Sequence, residues 1–156
     1  MTIKLSSILH QETTLSRLGA SGQRAALHEL VGLFIKVIPE VNPNNLVTLF
    51  EQRERFLSTA TQEGIAFPFA ELDGVNHPVL ALASARHGVD FGDPSGAHTQ
   101  LFVALVLPSN QPRLTMQLLA RLTRLFQTHE NLRDELIRIE SSEELYERFI
   151  QADEAL

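Results

Sequence analysis

Two near-continuous apolar runs in the middle of the chain restrict its possible folds most. They extend from Pro78 to Ala85 and from Gln100 to Leu107, and turn-forming residues bound both. Neither run has the strict alternation of polar and apolar residues that marks a half-exposed strand. Strands of this kind are covered on both faces, as they are in layered α/β proteins. We therefore predict two central strands that are largely buried on both faces.

A third short apolar run, from Gly64 to Ala70, predicts a further strand. The segment between the two central strands, RHGVDFGDPSGAH, is dense in glycine, proline, aspartate and other turn formers. Such residues favour tight turns and surface loops. This connection is therefore expected to lie on the surface.

Apolar residues at spacings of three and four flank these runs on both sides and predict amphipathic helices. The predicted helices lie at about 22–37, 43–56, 113–125 and 131–139, with a last helix that begins after Ser141. Helices, then strands, then helices again indicate one layered α/β domain over residues 1–156. The stripe from Leu114 to Leu125 predicts a core face, with Arg121 and Arg124 on or near the opposite, polar face.

Capping signals support three of these helices. Ser21 is a candidate N-cap for the first helix, and Asn42 before Pro43 is one for the second. Ser141 and Glu144 have the spacing of a capping box. The acidic last helix is expected to be solvated, with only its apolar side chains packed inward.

The charge balance narrows the classes of partner. The chain has 13 basic and 19 acidic residues, a formal net charge of −6. Nucleic-acid binding and membrane-surface binding both need clustered cations, so neither is expected. No apolar run approaches the ~20 residues of a membrane helix, and no targeting segment is recognised. A cytoplasmic protein with no metal and no cofactor is the expectation.

The segment from Arg53 to Phe69, RERFLSTATQEGIAFPF, resembles a motif of the enzyme IIA domains of the sugar phosphotransferase system. In the fructose–mannitol and nitrogen-regulatory kind, this motif has the form RExxxSTGIGxGIAIPH. Its final histidine accepts a phosphoryl group from a small phosphocarrier protein. The matching residues are Arg53, Glu54, Ser58, Thr59, Gly64, Ile65, Ala66 and Pro68. The histidine position is occupied by Phe69.

A second block, from His77 to Pro108, resembles the two central strands of that family and their connecting turn, here Gly88 to Phe91. The helix that follows resembles a family helix that a second histidine usually opens, and Thr115 aligns with that histidine. The resemblance implies an α/β sandwich with a mixed central sheet of four to five strands and helices on both faces. The chain could be free-standing or a module of a larger transporter.

The same resemblance supplies candidate site residues. Arg53 would be the cation beside the phosphoryl group; alternatively, it is a solvated helix residue or pairs with Glu51 or Glu54. Ser58 and Thr59 could supply hydroxyl groups, although a plain turn is the simpler interpretation. Phe69 has no nucleophilic atom, so we expect no catalytic residue at this position.

The sequence is compatible with two structural roles for the phenylalanines of this motif, Phe67 and Phe69. Phe69 is expected to be a core or rim aromatic, and with Phe67 it could form an apolar contact where a partner docks.

No histidine lies between His28 and His77 that could replace the missing one. The histidines from His77 onward are expected to be exposed loop residues.

The leading hypothesis is therefore a non-phosphorylatable IIA homologue and not an enzyme. It would bind a protein partner such as the histidine phosphocarrier protein, a transporter or a regulator. One alternative is an active phosphocarrier that uses another histidine. A second alternative is a sensor of small anionic metabolites, with Arg53 as the anchor.

Overall fold

The computed structural model describes residues 3–156. Within them, one sheet has the strand order β1-β4-β5-β2, and β3 also pairs with β5. The strands are β1 (Leu9–Leu15), β2 (Ile65–Ala66), β3 (Phe69–Leu72), β4 (Val79–Val89) and β5 (Thr99–Pro108). The pair β4–β5 is antiparallel and the other pairs are parallel. The predicted mixed sheet is thus confirmed.

The predicted strand at 64–70 is divided in two. Phe67 and Pro68 separate β2 from β3, and both short strands pair with β5. Proline has no N–H group, so it cannot donate to a strand ladder. The carbonyl of Pro68 still accepts from the Leu105 N–H at 2.9 Å, which keeps the two short strands in line along β5.

The sequence did not predict β1. Its residues, LHQETTL, have a mixed burial pattern and lack an apolar run. The strand lies at an edge of the sheet and, among the described residues, pairs with β4 alone. Its place in the fold depends on packing against the last helix and on the pairing with β4.

Helices cover both faces of the sheet. They are α1 (Gln23–Ile35), α2 (Pro43–Phe56), α3 (Pro112–Thr128), α4 (Leu132–Arg138) and α5 (Ser142–Glu154), preceded by a 3₁₀ turn at Leu5–Ser7. All five match predicted helices. Within residues 3–156, no helix has the length and apolar character that crossing a membrane requires.

Two of the three predicted N-caps are confirmed. The Asn42 side chain accepts from the Asn45 N–H at 3.1 Å. The Ser141 hydroxyl accepts from the Glu144 N–H at 3.3 Å. The prediction for Ser21 is wrong, because the N-cap of α1 is Gly22, which has no side chain to accept a hydrogen bond.

The central strands supply two separate cores because successive side chains point to opposite faces. On β4, Ala81 and Ala83 join the core beneath α1 and α2, while Leu80 and Leu82 join the core beneath α3, α4 and α5. The β5 residues alternate in the same way. The prediction that both strands are buried on both faces is confirmed, since every residue from Leu101 to Pro108 is buried.

Arg121 does not lie on the polar face of α3 as predicted. Its side chain is only 10% exposed, and its Nε lies 2.8 Å from Oδ1 of Asp153. Its Nη2 also donates to the Asp153 carbonyl oxygen at 3.1 Å. The acidic last helix is therefore not entirely solvated, because Asp153 is fully buried as the partner of this arginine.

Candidate functional site

Arg53 and Phe69 come together at the end of α2. Arg53 lies in the last turn of that helix, and Phe69 is the first residue of β3, which α2 contacts. The guanidinium carbon of Arg53 lies 4.5 Å from the centroid of the Phe69 ring. A cation over an aromatic face at this distance is attracted by the quadrupole of the ring. The two residues at the ends of the sequence motif are thus direct neighbours.

The other contacts of Arg53 close the end of the helix. Its Nη1 donates to the Leu57 carbonyl oxygen at 2.9 Å. In the described chain it forms no ion pair with Glu51 or Glu54, so that interpretation of the sequence is wrong. Oε2 of Glu51 instead lies 3.7 Å from Nη1 of Arg24, and the Glu54 carboxylate binds Thr59, which follows the helix.

Glu54 fastens the loop that follows α2. Its Oε1 accepts from the Thr59 N–H at 2.9 Å, and its Oε2 accepts from the Thr59 hydroxyl at 2.7 Å. The Glu54 side chain is buried, and this burial raises the pKa of its carboxyl group. The two hydrogen bonds from Thr59 and the charge of Arg53 oppose that rise without cancelling it.

Ser58 and Thr59 make turn contacts, in line with the simpler interpretation of both residues. The Ser58 hydroxyl donates to the Phe91 carbonyl oxygen at 3.4 Å and accepts from the Ala60 N–H at 3.2 Å. The Gln23 side chain donates to the same Phe91 carbonyl at 3.3 Å. These bonds join the loop after α2 to the turn that connects β4 and β5.

The side chain of Thr61 closes the loop from Thr61 to Ile65. The Thr61 hydroxyl donates to the Ile65 carbonyl oxygen at 2.7 Å, and the Thr61 N–H donates to that oxygen at 3.0 Å. Gly64 has a φ of +78°, a backbone conformation that glycine adopts without strain. A threonine and one glycine therefore shape this loop where the family motif has additional glycines.

Phe67 lies apart from Arg53 and borders a cleft of about 450 Å³ between the Thr61–Phe67 segment and α3. Its ring and the Phe126 ring pack edge to face, with centroids 6.2 Å apart.

Thr115 is buried on α3, and its hydroxyl donates to the Gln111 carbonyl oxygen at 3.4 Å, within its own helix. The structure thus joins Arg53 with Phe69, Ser58 with the turn, and Thr59 with Glu54.

Sequence reasoning missed an exposed apolar pair beside Arg53. Phe56 is 89% exposed and Leu57 is 65% exposed, at the point where α2 ends. The sequence held one signal of this exposure: Phe56 is at the end of the predicted helix, beyond the positions that face the core. The buried role of Glu54 could be found only through the family motif, because a helix glutamate is ordinarily solvated.

The later histidines are not all exposed loop residues. His129 is half-buried, and its Nε2 lies 3.1 Å from the Ala152 carbonyl oxygen. His87 belongs to β4, and its Nε2 lies 2.8 Å from the Ala20 carbonyl oxygen. His77 and His98 are exposed in loops, as predicted.

Comparisons with known proteins agree with this architecture. The chain is 26% identical over 145 residues to a nitrogen regulatory protein of Pseudomonas aeruginosa, covering 93% of this chain and 94% of the relative. The crystal structure of the nitrogen regulatory protein IIA-Ntr from Neisseria meningitidis superimposes with a TM-score of 0.79. Its sequence identity is 22%, and the match covers 93% of this chain and 98% of that one.

A second similar structure is enzyme IIA of the mannitol system of Escherichia coli, solved in complex with phosphorylated enzyme IIB. Its TM-score is 0.70 at 20% identity, with 92% of this chain and 99% of that one covered. The family described as phosphoenolpyruvate-dependent sugar phosphotransferase system, EIIA 2, matches residues 7–152. The match spans all five strands and nearly all of the last helix. The chain therefore belongs to this EIIA 2 family.

Proposed function

We propose that this chain is a regulatory IIA protein that binds a protein partner and carries no phosphoryl group at residue 69. The observation that carries the proposal is the stacking of Arg53 on Phe69, 4.5 Å from the ring centroid. In the family motif, the residues aligned with these two are an arginine and the histidine that is phosphorylated. Here the arginine packs against a hydrocarbon ring.

The chemistry of phosphoryl transfer supports the first half of the proposal. A histidine carrier attacks with an imidazole nitrogen and needs donors around the phosphoryl oxygens. The Phe69 ring has no nitrogen, and no change in its surroundings can create a nucleophile. Thr115 does not replace it, since the residue is buried and its hydroxyl is bonded within α3.

The surface beside Arg53 supports the second half. Phe56 and Leu57 are exposed, and Arg55 next to them is also exposed. Apolar side chains with arginines around them are typical of the centres of protein interfaces. The mannitol IIA structure was solved with a protein, enzyme IIB. Candidate partners of this chain are the histidine phosphocarrier protein, a transporter and a regulator.

A phosphotransfer assay tests the proposal. The native protein and a Phe69→His, Thr115→His double variant are incubated with phosphoenolpyruvate, enzyme I and the histidine phosphocarrier protein, and intact masses are measured. We expect no mass gain of one phosphoryl group in the native protein. A gain in the double variant alone would show that only the nucleophile is missing. A gain in the native protein would overturn the proposal in favour of a carrier that uses another histidine.

Isothermal titration with phosphorylated metabolites addresses the sensor alternative. Arg53 is half-buried as a residue, and its guanidinium binds one protein carbonyl, which leaves other N–H groups that an anion could use. Heat of binding that disappears in Arg53→Gln would favour the sensor. An absence of heat, together with measurable binding to one of the candidate proteins, is the result expected for a protein-binding regulator.

A further inference from the structure

Two arginines and a histidine lie together beyond the end of β1, about 20 Å along the strands from the position of Phe69. Arg17, Arg86 and His87 line a cleft of about 430 Å³ together with Leu18. The sheet register explains their proximity: Leu15, the last residue of β1, pairs with Ala83 of the parallel strand β4. Residues that follow β1 therefore lie beside Arg86 and His87.

This cluster, which we call the Arg17–Arg86 cleft, is distinct from the Arg53–Phe69 contact. Phe69 pairs with Leu105, and Leu105 pairs with Leu80 of β4. Arg86 lies six residues further along the same strand, a distance of about 20 Å at the usual rise per residue. The cleft is therefore independent of the contact on which the proposed function rests.

The two guanidinium groups share a single carboxylate oxygen. Arg17 Nη2 lies 3.0 Å from Oε1 of Glu140, and Arg86 Nη1 lies 3.6 Å from the same atom. Two positive charges thus face one negative charge, in a chain whose formal net charge is −6. The Glu140 carboxylate demonstrates that an anionic oxygen fits between the arginines.

The main chain holds this arrangement in place. Arg17 has a φ of +64°, which is uncommon for a residue with a side chain. Its N–H donates to the Ser84 hydroxyl at 3.3 Å, and the Leu18 N–H donates to the Ser84 carbonyl at 2.7 Å. On the other side, Arg86 Nη2 donates to the Arg138 carbonyl oxygen at 2.9 Å. The main chain at Arg17 is therefore fixed, and the Arg86 guanidinium is held by a carbonyl oxygen that does not belong to Glu140.

The contact with Glu140 is easily replaced. The side chains of Arg17 and Glu140 are each 63% exposed, and that of Arg86 is 56% exposed. Exposed ion pairs contribute about 0–1 kcal/mol, because water screens them and the side chains lose freedom. A ligand that brings a stronger or better-oriented anion can displace this carboxylate at little cost.

We propose that the Arg17–Arg86 cleft binds a small organic anion with one phosphate or carboxylate group on an apolar body. Guanidinium groups recognise either anion through paired hydrogen bonds. The remaining wall is apolar and is formed mainly by the hydrocarbon stems of the arginines, since Leu18 behind them is buried; this wall receives the body of the ligand. Glu140 occupies the anion position when no ligand is bound.

Isothermal titration of the full chain tests this proposal with three probes: phenyl phosphate, benzoate and inorganic phosphate. We expect an organic anion to bind more tightly than inorganic phosphate, and comparison of the first two probes identifies the preferred group. The Glu140→Gln variant removes the internal competitor while keeping the side-chain shape. It should bind more tightly by about two- to fivefold, the range that corresponds to an exposed ion pair.

Two further variants locate the site. Arg17→Asn keeps a residue that tolerates positive φ, and Arg86→Gln keeps a polar side chain, so both are expected to fold. Each should weaken binding by about tenfold, the loss of one charge-assisted hydrogen bond. The exposed Arg124→Gln on α3 is the matched control and should leave binding unchanged.

Three results would overturn the proposal. They are no binding of any probe to either the native chain or Glu140→Gln, equal binding of inorganic phosphate and both organic anions, and binding that survives both Arg17→Asn and Arg86→Gln. Circular dichroism of each variant separates loss of the site from loss of the fold.

Discussion

The guanidinium of Arg53 lies over the ring of Phe69, 4.5 Å from its centroid, and its Nη1 binds the carbonyl oxygen of Leu57. One side chain therefore joins the C-terminal end of α2 to the first residue of β3. The ring covers one face of the guanidinium, whereas the N–H donors of the group lie in its plane. The proposed loss of phosphoryl transfer at residue 69 follows from the ring itself, which has no nucleophilic atom.

We expect Arg53 and Phe69 to be energetically coupled. A double-mutant cycle with Arg53→Gln and Phe69→Leu should give a coupling free energy of unfolding of about 0.5–1 kcal/mol, the usual size of a cation–π contact near a surface. Urea unfolding measures it. Arg55, the exposed neighbour on α2, provides the control, since Arg55→Gln and Phe69→Leu should be additive. Additivity in both cycles would contradict an energetic role for the stacking.

Glu54 is expected to make the protein less stable as the pH rises above 4.5, the ordinary value for its carboxyl group. Burial raises its pKa in the folded state, so the folded chain retains a proton that the unfolded chain releases. Its contribution to stability is fully present below pH 4.5 and is lost as the pH rises through the raised pKa.

The isosteric Glu54→Gln variant cannot titrate and can still bond Thr59. The unfolding free energy of the native protein minus that of the variant should therefore fall as the pH rises above 4.5 and through the raised pKa of Glu54. Unfolding by urea at several pH values supplies the measurement. The exposed Glu147→Gln on α5 is the control, and a difference that rises with pH at Glu54 would refute the expectation.

The buried pair of Arg121 and Asp153 should matter far more than the exposed pair of Arg148 and Glu135. Both pairs join an arginine Nε to a carboxylate oxygen, at 2.8 Å and 2.6 Å, but Asp153 is fully buried and Glu135 is 45% exposed. Arg121→Met leaves an uncompensated buried charge and should cost about 3–5 kcal/mol.

The matched variant Arg148→Met should cost about 0–1 kcal/mol. Chemical unfolding of the two variants under one set of conditions provides the comparison. Asp153 also accepts from the Ser6 N–H at 3.0 Å, so loss of Arg121 should loosen the N-terminal 3₁₀ turn as well. Equal costs for the two variants would argue against burial as the deciding factor.

Alanine substitutions at Gly64 and Gly74 distinguish the energetic cost of backbone strain from that of steric crowding. Their φ angles are +78° and +85°, but a Cβ at Gly64 would lie 3.2 Å from the His98 carbonyl oxygen, whereas a Cβ at Gly74 meets nothing within 4 Å. Gly74→Ala should cost about 1–2 kcal/mol from the left-handed conformation alone. Gly64→Ala should cost more, and thermal unfolding of both variants would detect the difference.

Much of the fold follows from local patterns. The period of the apolar residues predicts all five helices, and the runs from Pro78 and from Gln100 predict the two central strands. The strand β1 has no such local pattern, because its burial depends on α5 and β4, which lie far away in the chain. Ser21 fails as a cap because the first helical turn begins one residue later than its side chain requires.

The candidate site divides in the same way. The motif from Arg53 to Phe69 identifies which residues belong to it, and the turn roles of Ser58 and Thr59 were foreseeable from residue type. The partner of Arg53 was not foreseeable, because Glu51, Glu54 and Phe69 were all within reach of a long, flexible side chain. The sequence likewise did not indicate whether the Glu54 carboxylate faces solvent or binds the loop that follows the helix.

The sequence by itself determined the α/β layering, the EIIA 2 family and the phenylalanine at residue 69, since these depend on residue type and spacing along the chain. Only the tertiary structure decided that Arg53 stacks on Phe69, that Arg121 is buried with Asp153, and that Arg17 and Arg86 share one carboxylate. The physical reason is that a period specifies which face a residue occupies. The partner it meets there depends on how separate helices and strands pack together.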